Sequence, residues 1–185
     1  SVMKPRALKR IYEALQKQTC DLVSWPQDLY NDIARPPVVT RGPTDGPIKL
    51  HRSRDLLEMF LNVQRGPCEA ILPRGLNSCL SRALYEKVLS GPHGRLCPPF
   101  APDYTMAFLQ LNATKQLLHI EDPLTVYGSC FHSNGNKHMK KQVSDAELFK
   151  DFAMTWEEVF GLTPVSIRVV SCAIFSDFVR MQAKL

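Results

Sequence analysis

Hydrophobic positions fall at helical spacing along most of this chain, and strand-like runs are few. Residues 5 to 18 begin with Pro5 and place Ala7, Leu8, Ile11 and Leu15 on one side, which predicts a helix entered through proline. Asp21 to Trp25 reads as a short strand, and the four prolines and two glycines of 34 to 48 predict an irregular loop or ragged hairpin. Ser53 is placed to cap a helix over 54 to 64 with Leu56, Leu57, Phe60 and Leu61 inward. Beyond Gly66-Pro67 lies a mostly apolar segment; Ser81 then caps a helix ending near Gly91. A Pro-, Gly- and Cys-rich loop leads into a helix from Asp103 to about Thr114. Gln116 to Tyr127 predicts one or two strands broken at Glu121-Asp122-Pro123. Ser144-Asp145-Ala146-Glu147 has the form of a capping box, predicting a helix to about Val159. Thr163-Pro164 opens a last helix.

This makes one helix-rich α/β unit with few short strands. They are too few for an independent central sheet, so the chain reads as half of a larger domain. A core of reasonable size is available to 185 residues that are 44% hydrophobic. No apolar run approaches the roughly eighteen residues of a membrane span. The chain opens Ser1-Val2-Met3-Lys4, with neither an apolar signal segment nor an initiator methionine, as expected of a processed, tagged or excised piece.

The net charge of +5 is concentrated rather than spread. Lys4, Arg6, Lys9 and Arg10 lie on the first helix; Lys137, Lys140 and Lys141 lie in a late polar loop. Such faces suit phosphates or an anionic partner, although a solvated face is the commoner explanation. Stacking aromatics are not interleaved with either cluster, which argues against nucleic acid. The cysteines (20, 68, 79, 97, 130 and 172) form no CxxC pair and no zinc spacing. They are expected to be free thiols of a cytoplasmic protein, which makes the sequon Asn112-Ala113-Thr114 a chance match.

Asp103 carries the most informative chemistry. A carboxylate in the first turn of an otherwise almost uncharged helix is either a cap or a general base. The helix N-terminus fixes its position but also favours the ionised form, so a base there needs burial to restore basicity. Glu121-Asp122, before proline, is read as a turn rather than an acid/base pair. His132-Ser133-Asn134-Gly135-Asn136-Lys137 has the flexibility and backbone donors to close over phosphates, and His132 could offer nitrogen to a divalent metal. His119, between apolar neighbours on a strand, is expected to be structural. His51, His93 and His138 have no constellation around them. GxGxxG, the Walker lysine motif and GxSxG are absent.

The order PRALKRIYEAL, strand, hairpin, RGLNSCLSRALYEKV, APDYTMAFLQL, QLLHIEDPLTVYG and HSNGNK resembles the C-terminal, acceptor-side half of family-2-type glycosyltransferases of the GT-A fold. The resemblance covers residues 1 to 142 and leaves 143 to 185 as a helical extension packed on that part. It implies transfer of a sugar from a nucleotide-sugar donor to a hydroxyl acceptor with inversion, with Asp103 as catalytic base. It also implies Mg²⁺ or Mn²⁺, whose acidic ligand motif and nucleotide-binding strands would lie in an N-terminal half that this chain lacks. Arg74, Asn77, Ser133, Asn134, Gly135 and Lys137 are the substrate-binding residues expected on this basis, and His132 the metal ligand. The competing expectation is a non-catalytic binding or assembly module with a basic face for an anionic partner.

Overall fold

The computed structural model describes residues 1–61, 65–97, 102–129, 155–163 and 170–182. Along the chain these form β1 (Val2–Met3), α1 (Ala7–Lys17), β2 (Leu22–Ser24), β3 (Gln27–Asn31), β4 (Val38–Thr40) and β5 (Ile48–Arg52). There follow α2 (Ser53–Leu61), α3 (Arg65–Glu69), β6 (Ser78–Leu80), α4 (Arg82–Leu89), α5 (Pro102–Ala113), β7 (Gln116–Ile120) and β8 (Thr125–Ser129). The last described elements are α6 (Trp156–Phe160) and α7 (Val170–Gln182).

The fold is mixed α/β, and its sheets are larger than the sequence led us to expect. Two four-stranded sheets form, in the orders β1-β8-β3-β4 and β5-β7-β2-β6. Each is built on a parallel pair, β3/β8 or β2/β7, with an antiparallel strand on either side. Only Trp25-Pro26 separates β2 from β3, and only Glu121 to Leu124 separates β7 from β8. Two chain segments thus run side by side through both sheets and bend together. Proline at each bend, Pro26 and Pro123, removes a backbone donor just where the ladder is interrupted.

Alternation along the central strands sends side chains into two separate cores. Val23, Trp25, Leu118, Ile120 and Leu124 pack against Ala7, Ile11 and Ala14 of α1. Leu22 and Leu117 point the other way, towards Leu56 and Phe60 of α2, Leu84 and Val88 of α4, Phe108 and Leu111 of α5, and Ile174 and Phe178 of α7. The β5-β7-β2-β6 sheet is therefore covered by helices on both faces. Phe108 sits between Phe60 and Phe178, with ring centroids 4.8 and 4.7 Å away, and so ties α2 and α7 to α5. Each such edge-to-face pair adds about 1 kcal/mol beyond the area it buries.

Several helix boundaries follow the sequence signals. Ser81 caps α4 by accepting the Leu84 N–H at 3.1 Å. Helix α1 starts after Pro5, and β7 and β8 separate at the expected break. Two expectations are corrected. Ser53 does not cap α2: β5 runs straight into the helix, Ser53 is its first residue, and the buried hydroxyl has no hydrogen-bond partner. A single helix from Ser144 to Val159 is also ruled out. Thr155 is extended (φ −88°, ψ 166°) and closes its own capping box with Glu158, so α6 starts afresh at Trp156. The Ser144 to Glu147 motif itself lies outside the described residues.

Candidate functional site

Helix α5 is held on nearly every side. Thr105, Ala107, Phe108, Leu109, Gln110 and Leu111 are all buried, so the helix is a rigid post through the second core. Its first turn emerges at the surface. Asp103 is exposed there, inside the helix rather than at its cap, and has no hydrogen bond or ion pair with another described residue. The described residues do not supply the burial that a base at a helix N-terminus was expected to need.

The loop between α3 and β6 lies against this turn. Arg74 extends over the ring of Tyr104, with its guanidinium carbon 5.8 Å from the ring centroid. The Tyr104 hydroxyl bonds the Glu69 carboxylate, and Gly75 lies against the Met106 sulfur. Arg74 is half-buried and its Nε is shielded from water, yet no described carboxylate pairs with it. Enclosing an N–H donor without a partner costs free energy, so an uncompensated guanidinium of this kind favours an acceptor or anion from outside.

Asn77, expected to contact substrate, serves the fold instead. It is fully buried, and its amide donates to the carbonyls of Trp25 (2.8 Å) and Leu72 (3.2 Å). Its backbone carbonyl accepts the Trp25 N–H. It thereby pins the 72–77 loop to the bend between β2 and β3. Gln27 and Thr125 add bonds from the β3/β8 pair to the Leu76 carbonyl. The structure thus brings Arg74 to the neighbour of Asp103 and places Asn77 behind that loop. His132, Ser133, Asn134, Gly135 and Lys137 lie outside the described residues; β8 ends at Ser129, opposite Asn31, at the carboxyl end of the parallel pair.

The carboxylates at the second bend are structural, in keeping with the turn reading. Asp122 accepts Arg10 Nε at 2.6 Å and the Gly46 N–H, while Arg10 also donates to the Gly46 carbonyl at 2.8 Å. Glu121 pairs with Lys49. Gly46 has no room for a side chain, because an added Cβ would stand 2.8 Å from Glu121 Cβ. Asp28, expected by no sequence signal, is buried between Lys4 Nζ (2.5 Å) and the Gly42 N–H (2.9 Å). Burial alone would raise its pKa; the Lys4 and Gly42 bonds, with the Lys4 and Arg41 charges, outweigh it and hold the carboxyl below its ordinary value.

Another polar group was missed. His51, expected to stand alone, lies with its ring 6.0 Å from that of His119, edge to face. His119 is buried and bonded to Ser24, in keeping with a structural role. Burial, then the neighbouring His51, push its pKa down to about 4 against a lesser opposing effect of Glu121. Lys49 and His51 alternate with apolar residues on β5, so the pairing with β7 was the missing information.

No trio of His, Cys, Asp or Glu suited to a metal occurs among the described residues, so the divalent cation implied by the resemblance finds no ligand set there. Cys20, Cys68, Cys79, Cys97 and Cys172 are free thiols; burial pushes Cys79 up to about 11, which leaves it unreactive. Among the described residues no helix is long and apolar enough to cross a membrane. The chain matches no protein-family model and no curated protein sequence.

Proposed function

We propose that this chain is the acceptor-side part of a nucleotide-sugar-dependent glycosyltransferase with a GT-A-like fold, and that Asp103 is its catalytic base. The observation that carries this reading is the pairing of an exposed carboxylate on a rigid helix with the uncompensated Arg74 over the adjacent Tyr104. Arg74 orients the acceptor through its free donors. With the bound substrates and the donor-binding part covering Asp103 and supplying the burial that its basicity needs, Asp103 takes the proton from the acceptor hydroxyl as that hydroxyl's oxygen attacks the anomeric carbon. The bond from that carbon to the diphosphate breaks with inversion, and the nucleoside diphosphate leaves with its electron pair. The nucleotide-binding strands, and the acidic ligands of any Mg²⁺ or Mn²⁺, come from sequence outside this chain. Free cysteines suit a reducing compartment such as the cytoplasm.

The test is acceptor-dependent release of nucleoside diphosphate by the full-length protein across a panel of nucleotide-sugars. Release with one donor and acceptor pair is expected. A folded full-length protein that releases none across the panel contradicts the reading.

A second reading, a binding module for an anionic partner, draws on α1. That helix exposes Leu8 and Tyr12 one turn apart beside Lys9. Against it, Lys4 and Arg10 are already engaged by Asp28 and Asp122. The module reading requires the isolated chain to be stable and monodisperse.

A further inference from the structure

A second recess lies at the far end of α5 from Asp103. The helix runs on from Asp103 to Ala113, which at about 1.5 Å per residue puts it roughly 15 Å away. It is a groove of about 470 Å³ between the start of α2 and the turn joining α5 to β7. Its charged lining is Arg52, Arg54 and Lys115, with no acidic side chain among the lining residues. That composition differs from the cleft over α1, where Glu13, Asp45 and Asp122 offset the basic residues.

Two features aim the groove at an anion. The first turn of α2 borders it, and the backbone N–H groups of a helix N-terminus carry partial positive charge and lack intrahelical partners. Independently, Ser53 lines the groove with only 2% of its surface exposed, and its hydroxyl has no partner. A hydroxyl enclosed in this way is costly unless something completes its hydrogen bonding. The Ser53 N–H is already engaged by the Lys115 carbonyl at 3.0 Å, which fixes the two sides of the groove together.

The opposing charges are modest. Asp55 lies in the first turn of α2 but does not line the groove. Arg54 pairs with Glu58 at 2.7 Å, but both side chains are more than half exposed, and such a pair yields easily to a better acceptor. The carbonyl end of α5 also borders the groove, and there Lys87 covers the Ala113 carbonyl.

We propose that this groove is a binding site for a phosphate monoester, with the phosphate held by Arg52, Arg54, Lys115 and the α2 N-terminus and completed by the Ser53 hydroxyl. The volume leaves room for a small organic body beyond the phosphate, in the size range of small-molecule sites. The proposal is independent of the glycosyltransferase reading, since none of these residues belongs to the Asp103 corner.

The experiment is a titration of the full-length protein with O-phosphoserine, and in parallel with inorganic phosphate, followed by amide chemical shifts. Saturable shifts confined to residues 52–57 and 112–116 are expected, with O-phosphoserine binding more tightly than inorganic phosphate. Lys115→Glu should weaken binding at least tenfold. Ser53→Ala should weaken it severalfold without lowering the melting temperature, because it removes a hydroxyl that the protein itself leaves unbonded. Equal affinity for the two probes overturns the monoester assignment. Non-saturating shifts spread over all basic residues, or unchanged affinity in both variants, overturn the site.

Discussion

Ser24 and His119 face each other in register across the parallel β2/β7 pair, hydroxyl oxygen 2.9 Å from imidazole Nδ1. The serine has one proton, and it is given to the Ile71 carbonyl at 2.7 Å. Nδ1 must therefore be the donor to Ser24, which fixes the neutral Nδ1–H tautomer and leaves the lone pair on Nε2. Long-range ¹H–¹⁵N correlation spectra at pH 7 should show that tautomer for His119.

Burial of this histidine, with His51 beside it, makes stability depend on pH. Folding lowers the His119 pKa from 6.5 to about 4, so the unfolded chain takes up a proton that the folded chain refuses. Stability is full above about 6.5 and is lost as pH falls towards 4, by an amount on the order of 3 kcal/mol. His119→Asn keeps a donor near the Nδ1 position and cannot titrate. Urea midpoints measured from pH 7.5 to 4.5 should fall steeply for the parent and much less for the variant.

Asp177 acts in the opposite direction. It is buried on α7, and burial raises its pKa to about 6 despite Arg180 at 2.9 Å. For an acid with a raised pKa, the favourable contribution is present at low pH and disappears as pH rises through about 6. Asp177→Asn should raise stability at pH 8 by about 1–2 kcal/mol and change little at pH 4.5. Chemical denaturation at the two pH values checks the difference.

Arg10, Asp122 and Gly46 hold the α1 helix, the β7–β8 bend and the approach to β5 together. Removing the buried carboxylate strands the guanidinium, so Asp122→Ala should cost about 3 kcal/mol. Gly46→Ala drives a methyl group into Glu121 and should cost about 1–3 kcal/mol. Thermal melts of the two single variants and of their combination should show less than additive loss, because both release the same loop.

Helices were legible because their cues are local: the Ser81 cap, Pro5 before α1 and the apolar run of α5 all lie within a turn or two of the boundaries they set. Strands were harder. β3 carries Gln27, Asp28 and Asn31, and β5 carries Lys49, His51 and Arg52; these are stabilised by partners distant in sequence, such as Lys4 for Asp28 and β7 for His51. No local pattern marks them. The same limit applies at the candidate site. Asp103 and Arg74 could be picked out as chemically suited residues, but their approach through Tyr104 is a product of packing. Asn77 looked equally suited, yet its amide is occupied by carbonyls from two separate loops.

The most direct measurement is turnover of Asp103→Asn in the full-length protein, with the donor and acceptor pair that the parent uses. The substitution keeps size and hydrogen-bonding capacity, and at an exposed first-turn position it removes only a helix-terminus charge interaction of about 0.3–1 kcal/mol. If Asp103 is the base, kcat falls by roughly 10²–10⁴-fold while the melting temperature stays within a few degrees of the parent's. Turnover at the parental rate in a folded variant would contradict it.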